Sequence, residues 1–248
     1  MQIGILGVGN IGATLTQRLS EAGHQVKVAN SRGPETIPAD VLSVGGRAVN
    51  ARDVVTDVDA LIISIPLFRI PDIRPLVDDL PTRAVLLDTS NYYPMRDGHI
   101  AALDDGQVES LWVTEQLSRP VAKAWNAITT GSFDAKAVAA ADSRRLAPPV
   151  AADADADRGL GISLVEDTGF DGLDAGPLSE SWRQQPGTPA YCTDLSRDEL
   201  RRALAAAVPG RAPRRRDLAM EVIAELSADA TVDRGDDFLV RVNRLIYP

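Results

Sequence analysis

Short apolar runs alternate with amphipathic segments from the first residues onward, which is the pattern of strands that alternate with helices. Residues 2–6 are apolar enough for a buried strand, and the apolar residues between Ile11 and Ala22 recur at helical spacing. Gly23 follows where a left-handed residue commonly ends a helix, and residues 25–29 form a second apolar run. The pattern therefore predicts strand, turn, helix and strand within about 30 residues.

Further apolar runs predict the rest of one large sheet. The run at residues 60–65 is nearly continuous, which fits a strand of a parallel sheet that is covered on both faces. The other predicted strands are residues 48–50, 84–88, 120–124, 149–152 and 170–175. The predicted helices between them are residues 34–44, 51–58, 70–80, 109–117, 132–141 and 153–168. We expect an α/β fold of the Rossmann type, with a doubly wound, mostly parallel sheet, over residues 1–176.

The sequence changes in character at Pro177, after which polar and broken segments separate three helical patterns. Ser196 and Glu199 have the spacing of a capping box at the start of the first pattern. Apolar residues at helical spacing predict two more helices, near residues 218–226 and 238–245. We expect residues 177–248 to form a small helical C-terminal cap.

The turn after the first strand has the form G-x-G-x-x-G. Gly7 permits a tight turn, Gly9 lets a pyrophosphate approach the backbone, and Gly12 lets the helix pack closely against the strand. The helix offers free N–H groups and a partial positive charge to phosphates, so we expect Asn10 and Ile11 to join this contact. A glycine-rich turn without a ligand is the alternative, but the flanking strand and helix favour dinucleotide binding.

A second candidate site follows the second strand, at Asn30, Ser31 and Arg32. Folds that prefer NAD usually carry an acidic residue near this point, about 20 residues past the glycines, to bind the ribose hydroxyls. This chain carries a hydroxyl and a guanidinium instead, which suit the 2′-phosphate of NADP. A solvated loop arginine is the alternative. The position and the missing acid predict NADP(H) as the cofactor.

Polar residues also follow the fourth and fifth predicted strands. Because ligands of a doubly wound sheet lie beyond the carboxyl ends of its strands, we expect Ser64, Ile65 and Pro66 to edge the cofactor cleft. Residues 89–93, with Asn91 among them, place hydrogen-bonding groups where a nicotinamide or a substrate would lie. The alternatives are that Pro66 merely ends a strand and that Asn91 belongs to an ordinary turn.

Composition narrows the classes of partner. The 248 residues carry a formal net charge of −9 and a pI of about 4.8, so the chain is a poor general binder of nucleic acids or anionic membranes. No apolar run approaches the ~18–20 residues of a membrane helix, and we see no signal peptide. A single cysteine, Cys192, suits a reducing cytosol. We expect a cytoplasmic protein whose partners are a small-molecule redox cofactor or substrate, and no nucleic acid or membrane.

The sequence indicates no catalytic residue. His24 lies beside a helix-ending glycine and His99 lies in a loop, so we expect neither to be catalytic, and Cys192 has no nearby base in the sequence. The alternating aspartates of residues 153–157 fit the acidic first turn of a helix, and they lack the glycine and closing glutamate of a calcium loop. We expect no metal site.

Four motifs together resemble one known family. They are the glycine turn at 7–12, Ala-Asn-Ser-Arg-Gly-Pro-Glu at 29–35, Lys-Ala-Trp-Asn at 123–126, and Gly-Phe-Asp with Leu-Asp-Ala-Gly-Pro-Leu within 169–178. Over roughly residues 1–180 the chain resembles the NADPH-dependent oxidoreductases that use the deazaflavin coenzyme F420. Many families share the glycine turn, whereas the Asn-Ser-Arg and Asp-Ala-Gly-Pro-Leu segments are more specific.

The resemblance implies hydride transfer between the nicotinamide of NADP and F420 or a flavin-type acceptor, chemistry in which the protein mainly orients two rings. It implies that Ser31 and Arg32 hold the 2′-phosphate, that the glycine turn holds the pyrophosphate, and that Asn126 lies at the cofactor site. Archaeal members are dimers, so a homodimer is expected. The segment after Leu178 is longer than in the compact archaeal members, and Trp125 stands where phenylalanine is expected.

Two other functions stay open. Lys123 and Asn126 satisfy the Lys-x-x-Asn pattern of β-hydroxyacid dehydrogenases, which favours reduction of a small carbonyl or imine, although Lys123 lies in a predicted strand and not in a helix. The Tyr-x-x-x-Lys of short-chain dehydrogenases is absent. A redox sensor that binds NADPH without turnover is the remaining interpretation, and NADPH binding without its oxidation by any acceptor would identify it.

Overall fold

Six parallel strands form the central sheet. In chain order they are β1 (Gln2–Leu6), β2 (Gln25–Ala29), β3 (Arg47–Ala48), β4 (Ala60–Ile63), β5 (Val85–Asp88) and β6 (Ala122–Lys123). Across the sheet their order is β3-β2-β1-β4-β5-β6, and each neighbouring pair is parallel. This is the strand order of the Rossmann-type fold that the sequence predicts. The structure, a computed structural model, describes residues 1–138, 145–232, 234–235 and 237–248.

The central strands carry apolar side chains on both faces. On β4, Ala60 and Ile62 join one hydrophobic cluster, whereas Leu61 and Ile63 join a second. Successive side chains of a strand point to opposite faces, so a strand covered on both sides is apolar throughout. The continuous apolar run of the sequence is therefore confirmed as a strand with a core layer on each side.

A small second sheet lies beside β6. Its strands β7 (Pro149–Val150) and β8 (Leu173–Asp174) are parallel to each other. An antiparallel bridge joins Lys123 to Ala151, with the Lys123 N–H donating to the Ala151 carbonyl at 2.8 Å. Both late apolar runs are therefore strands, although they are shorter than predicted.

Helices cover the sheet and make up most of the C-terminal part. In the described part of the chain they are α1 (Asn10–Glu21), α2 (Arg74–Asp78), α3 (Pro94–Asp97), α4 (Ala101–Asp104), α5 (Glu109–Leu117), α6 (Thr130–Ala135), α7 (Asp155–Asp167), α8 (Arg197–Ala206), α9 (Ala212–Ala228) and α10 (Phe238–Ile246). The sequence predicts α1, α5 and α7 to within two residues at each end, and it does not predict the short α3 and α4. Among the described helices, none combines the length and apolar character that crossing a membrane requires.

The helix predicted over residues 34–44 is wrong. The backbone forms a 3-10 turn at Pro34–Thr36 and then continues as a series of isolated turns. Pro38 is the physical reason, because the residue before a proline is pushed out of the helical region. Ile37 is accordingly extended, with φ −80° and ψ 122°.

Two further predicted helices are mostly tight turns. Residues 51–58 contain a 3-10 turn, Asp53–Val55, and Asp57 follows with a φ of 48° that no α-helix contains. Within residues 70–80, a 3-10 segment with Pro71 inside it precedes α2. Proline lacks the N–H that a helix interior needs, and short helices are costly to nucleate, so tight turns replace the predicted helices.

The helix predicted over residues 132–141 starts earlier and ends at Ala135 as α6. Thr129 caps it, because its hydroxyl accepts a hydrogen bond from the Ser132 N–H at 3.1 Å. Residues 139–141 of that prediction lie outside the described residues. The start of α6 is thus set by a local cap that precedes the apolar pattern.

The capping box predicted at the start of α8 is confirmed. The Ser196 N–H donates to the Glu199 carboxylate at 2.8 Å, and the Ser196 side chain accepts from the backbone of the third helical residue. Such a box satisfies two backbone donors that a helix start otherwise leaves unpaired. The helical C-terminal part is therefore confirmed from its first helix onward.

The C-terminal part packs against the carboxyl ends of the strands. One cluster of buried side chains joins it to the segment after β6, and its members are Ala127, Tyr191, Cys192, Ala219 and Tyr247. A second cluster joins the start of α8 to the small sheet, and its members are Ala147, Leu173, Ala190 and Leu200. The domain boundary at residue 176 stays a prediction.

Candidate functional site

A cavity of about 580 Å³ lies at the edge of the sheet where the parallel strands end. Its walls are the segments that follow β1, β4, β5 and β6, together with side chains of α9 and α10. Ligands of doubly wound sheets bind at this edge, and the volume is typical of a site for a drug-sized ligand. The predicted site residues on its wall are Gly9, Asn10, Ile11, Ser64, Ile65, Pro66, Asn91 and Asn126.

The three glycines of the turn have three different surroundings. Gly7 has a φ of 112°, and a Cβ there would overlap the carbonyl oxygen of Ser64. A Cβ on Gly12 would overlap the carbonyl oxygen of Gly7. Gly9 has no atom within 4 Å of its Cβ position. Gly7 and Gly12 are therefore required by the fold, whereas Gly9 leaves space in which a ligand can approach the backbone.

Helix α1 presents its amino end to the cavity. Gly9 occupies the cap position without a side-chain hydrogen bond, and its carbonyl accepts from the Ala13 N–H at 2.8 Å. A helix leaves its first N–H groups without intrahelical acceptors, and partial positive charge collects there. Because Asn10 and Ile11 line the cavity, α1 can offer these N–H groups to an anion.

The loop after β2 carries Asn30, Ser31 and Arg32 at the same edge of the sheet, outside the cavity wall. The Gly7 N–H donates to the Ala29 carbonyl at 2.8 Å, so this loop begins beside the glycine turn. The Asn30 Oδ1 accepts from the Arg32 N–H at 2.9 Å, which shapes the loop. Ser31 and Arg32 are exposed, and no salt bridge joins the Arg32 guanidinium to the described residues. Both side chains are therefore free to meet a ligand.

After β4 the chain follows the cavity wall through Ser64, Ile65 and Pro66. The Ser64 N–H donates to the Leu6 carbonyl at 2.8 Å, so the bonding between β1 and β4 continues to the edge. Pro66 precedes the 3-10 segment Leu67–Ile73 as its cap. Pro66 therefore lies on the cavity wall as well as at the end of the extended segment.

A buried ion pair joins the ends of β5 and β6 beneath the cavity. The Lys123 Nζ lies 2.6 Å from the Asp88 Oδ2, both side chains are fully buried, and the same ammonium donates to the Ser90 carbonyl. The Asp88 Oδ1 accepts from the Ser90 N–H at 2.9 Å. Removing one partner of such a pair costs about 3–5 kcal/mol, because it leaves a buried charge unpaired. The pair therefore holds the two strand ends together.

The same pair bears on the Lys-x-x-Asn interpretation. Lys123 lies on β6, as the sequence predicts, and it is not part of the cavity wall. Its ammonium is engaged by Asp88 and Ser90 and cannot also contact a substrate without breaking a buried pair. The structure therefore gives Lys123 a structural place beneath the site.

Ser90 carries an unused hydroxyl on the cavity wall. Its Oγ is buried and has no hydrogen-bond partner among the described residues. An unsatisfied buried polar group costs about 1–3 kcal/mol, so such groups usually meet a ligand or a water molecule. The hydroxyl is therefore available to a polar substituent of a bound ring.

Hydrogen bonds join Asn91 and Asn126 across the strand ends. The Asn91 Nδ2 donates to the Asn126 carbonyl at 3.0 Å, and the Asn126 Nδ2 donates to the Asn91 Oδ1 at 3.1 Å. Gln184 closes the group from the C-terminal part, with its Nε2 donating to the Asn126 Oδ1 at 2.9 Å. The two predicted residues thus lie side by side and couple the sheet to the segment above it.

Except for Tyr93, which belongs to the predicted segment 89–93, the far wall of the cavity comes from residues that sequence analysis does not select as a site. Tyr93 follows β5, and Tyr191 and Cys192 lie in the loop before α8. The side chains that α9, α10 and the C-terminal end add are Met220, Ile223, Leu239, Asn243 and Tyr247. Their spacing is that of ordinary amphipathic helices, so no sequence signal separates them from core residues.

His24, His99 and Cys192 lie in no catalytic arrangement. The His24 ring is 3.0 Å from Asp167 and the His99 ring is 3.1 Å from Asp104, and neither histidine lines this cavity. Cys192 lines it, but burial raises the pKa of its thiol, which is therefore protonated at neutral pH. In the part of the chain that the structure describes, no three His, Cys, Asp or Glu side chains are arranged to hold a metal ion.

The residues of the site fit a dinucleotide. Gly9 leaves the backbone open beside the amino end of α1, where a pyrophosphate would bind. The exposed Arg32 guanidinium lies at the same edge, where a ribose phosphate would bind. The Ser90 hydroxyl and the Asn91–Asn126 pair lie on the cavity wall, where a nicotinamide would need polar partners.

Comparison with known protein families gives a match in the first third of the chain. Residues 2–92 match the family "NADP oxidoreductase coenzyme F420-dependent". For these residues the resemblance drawn from the motifs is confirmed. The match to the F420-dependent NADP oxidoreductase family contains the glycine turn, the loop after β2 and the residues that follow β4, whereas Asn126 lies beyond it.

Solved structures show the same fold over most of the chain. A hypothetical protein, SMa0349 from Sinorhizobium meliloti, superposes with a TM-score of 0.67 at 23% identity, covering 79% of this chain and 95% of that one. A putative F420-dependent NADP-reductase from Arthrobacter sp. FB24 gives 0.59 at 17% identity, covering 73% of this chain and 87% of that one. At these identities the likeness establishes the Rossmann-type fold.

A curated relative matches over a shorter stretch. The putative protein YjhV of Escherichia coli strain K12 is 47% identical over 66 residues, which is 27% of this chain and 48% of that protein. The chain therefore matches about half the length of this relative.

Proposed function

We propose that this protein is an NADPH-dependent oxidoreductase that transfers a hydride between NADP(H) and a deazaflavin (F420) or flavin-type acceptor. The open backbone at Gly9, beside the amino end of α1, carries the proposal. Bound NADPH would supply the hydride, and the protein's part is to bind and orient the reactants. The family match over residues 2–92 supports the same class of reaction.

In this proposal the cofactor lies along the carboxyl edge of the sheet. The glycine turn binds the pyrophosphate through backbone N–H groups. Ser31 and Arg32 bind the 2′-phosphate, and Asn30 holds their loop in shape through its bond to the Arg32 N–H. The absence of an acidic residue at positions 30–32 and the exposed guanidinium favour NADP over NAD.

The nicotinamide end belongs between the ends of β4 and β5 and the far wall. Ser64, Ile65 and Pro66 flank it on one side, and Asn91 and Asn126 flank it on the other. The Asp88–Lys123 pair and the bonds between the two asparagines hold these strand ends in place. A rigid floor of this kind orients a ring without any reaction of the side chains themselves.

The size of the cavity favours a second candidate, the reduction of a small carbonyl or imine. Its 580 Å³ must contain both the nicotinamide end and the acceptor. Sites of about 300–1,000 Å³ commonly hold a single drug-sized ligand, so a small acceptor needs less rearrangement here than a three-ring deazaflavin.

A homodimer in the cytoplasm completes the proposal. The dimeric archaeal members of the family support the first part, and the single cysteine supports the second. Sedimentation at micromolar concentration should give the mass of two chains. A monomer at every concentration would contradict the dimer and leave the cofactor assignment intact.

The acceptor is tested with purified protein, NADPH and a panel of oxidised F420, FMN, FAD, small ketones and cyclic imines. We expect NADPH oxidation to accompany the loss of F420 absorbance. Oxidation by a ketone or imine alone would favour the second candidate. NADPH binding without oxidation by any acceptor would identify a redox sensor, and no NADPH binding by calorimetry would overturn the proposal.

A further inference from the structure

Two tyrosine hydroxyls meet on the far wall of the cavity. The Tyr93 and Tyr191 oxygens lie 2.8 Å apart, and both residues line the cavity. Tyr93 follows β5 directly, whereas Tyr191 belongs to the loop before α8. These two residues, called here the Tyr93–Tyr191 pair, therefore face the sheet edge from the side of the proposed site where the hydride acceptor would bind.

The pair has one more hydroxyl hydrogen than the hydrogen bond between its two oxygens uses. Two hydroxyls carry two hydrogens, and one of them lies in the bond between the two oxygens. Besides its partner oxygen, the Tyr191 hydroxyl interacts with the Cys192 thiol, and sulfur is only a weak hydrogen-bond acceptor. Buried donors are rarely left without partners, so a hydroxyl donor on a cavity wall is expected to meet a bound molecule.

The pair keeps both hydrogens at neutral pH. Burial raises the pKa of Tyr93 and of Tyr191, since a phenolate would lose its hydration. The titratable groups around the pair are Cys192, Tyr247, Glu109 and Arg96. An anion on any of the first three would raise the two tyrosine pKa values further, whereas the Arg96 cation acts in the opposite direction.

Both tyrosines are held in place by their own loops. The Tyr93 N–H donates to the Asp97 carboxylate at 2.9 Å, and the Arg96 guanidinium lies 5.4 Å from the centre of the Tyr93 ring. Next to Tyr191, the Cys192 N–H donates to the Ala127 carbonyl at 3.0 Å. Fixed donors of this kind need little rearrangement when a ligand arrives.

We propose that the Tyr93–Tyr191 pair is the proton donor to the hydride acceptor, an inference that rests on the proposed function. A hydride, with its electron pair, would pass from bound NADPH to the electrophilic atom of the acceptor, which is the carbon of a C=O or C=N group or C5 of a deazaflavin. The displaced π electrons would move to the oxygen or nitrogen of that group, or through the conjugated ring to a ring nitrogen, and this atom takes the spare hydroxyl proton. The resulting phenolate recovers a proton from its partner hydroxyl and, through that, from solvent.

The test compares Tyr93→Phe, Tyr191→Phe and the double variant with the intact protein. We expect turnover with the best acceptor to fall by roughly 10²-fold or more in the double variant, which is typical of a lost general acid. NADPH affinity by calorimetry should stay within about threefold, since the cofactor's phosphates lie elsewhere. The solvent deuterium isotope effect of the intact protein should be lost from the residual rate.

Tyr92→Phe is the matched control. Tyr92 is the neighbouring tyrosine, but its hydroxyl donates to Asp104 at 2.7 Å, away from the cavity. This variant removes a buried hydroxyl of the same kind, and turnover should stay within about twofold of the intact protein. A loss equal to that of the double variant would show that turnover merely follows stability, which would overturn the inference.

Fluorine NMR of fluorotyrosine-labelled protein gives a readout without turnover. The two Phe variants assign the resonances of Tyr93 and Tyr191, and both should shift when NADP⁺ is added, while Tyr92 stays fixed. Unshifted resonances, or a double variant with intact turnover, would overturn the inference and leave NADPH binding untouched. A protein that fails to bind NADPH, or binds it without any turnover, would overturn the proposed function and this inference with it.

Discussion

At the scale of single residues, the glycine turn separates the needs of the fold from those of the ligand. Gly7 and Gly12 have carbonyl oxygens where a Cβ would lie, whereas Gly9 has open space. The same residue type therefore serves packing at two positions and access at a third. We therefore expect substitution of Gly9 to change ligand binding, and substitution of Gly7 or Gly12 to change the stability of the fold.

Gly9→Ala should lower NADPH affinity about tenfold or more, because the methyl group occupies the space of the pyrophosphate. Its unfolding free energy should change by less than about 0.5 kcal/mol, since nothing in the protein is displaced. Calorimetry and urea unfolding measure the two effects. Gly12→Ala is the matched control and should cost about 1–3 kcal/mol of stability. Undiminished NADPH affinity in Gly9→Ala would contradict the assignment of the turn.

Arg32→Ala should weaken NADPH binding by about 1.5–3 kcal/mol, or roughly ten- to a hundredfold, and leave NADH binding unchanged. The reason is that the exposed guanidinium would pair with the phosphate that NADH lacks. Arg83→Ala is the control, because Arg83 is exposed beside Asp59 at the opposite edge of the sheet. If Arg32→Ala weakened the binding of NADPH and NADH equally, Arg32 would not be the residue that recognises the 2′-phosphate.

At the scale of elements, helix α5 begins with a buried carboxyl group. Glu109 is 5% exposed, and one of its oxygens has no hydrogen-bond partner among the described residues. Burial raises its pKa to about 7, while the nearby Lys123 charge opposes the shift. The amino end of a helix normally favours a carboxylate, so desolvation outweighs the helix dipole here.

The folded state holds this proton more tightly than the unfolded chain does. Stability from Glu109 is therefore fully present below a pH of about 4.5 and is lost as the pH rises through about 7. The loss is up to about 3 kcal/mol. Tm should fall between about pH 4.5 and pH 7 in the intact protein and much less in Glu109→Gln. Glu115→Gln, exposed on the same helix, should retain the full fall. An identical fall in Glu109→Gln would refute this source of pH dependence.

At the scale of the whole molecule, the cavity is built from both ends of the chain. Asn10 lies on one wall and Tyr247 on another, with the strand ends between them. Helices α9 and α10 contribute to the wall as well as to the packing of the C-terminal part. A ligand in the cavity must therefore stabilise segments that are more than 200 residues apart in the chain.

NADP⁺ should slow amide hydrogen exchange at the start of α1 and also in α10. Binding to the folded state suppresses the local openings of every segment that forms the site. Helix α2, which contributes nothing to the cavity wall, should exchange at an unchanged rate. Hydrogen exchange with mass spectrometry measures all three segments. Protection confined to α1 would place the cofactor away from the part of the wall that α10 forms.

Prediction from sequence succeeds where one local pattern meets no competing signal. The glycine turn, α1 and α5 follow from the spacing of apolar residues and from the residues that begin and end each element, because each is specified by neighbours in the sequence. The helix over residues 34–44 fails since Pro38 outweighs the apolar period around it. The short α3 and α4 carry too few residues for any period to appear.

The sequence by itself determined the first strand–turn–helix–strand unit, the open turn at Gly9 and the basic loop at Arg32, because these depend on contacts within about 30 residues. Tertiary structure alone decided that Tyr93 contacts Tyr191, that Lys123 forms an ion pair with Asp88, and that the C-terminal helices form part of the cavity wall. Those contacts join segments distant along the chain. Side chains that look like ordinary core in sequence become a wall only when packing brings them to one edge.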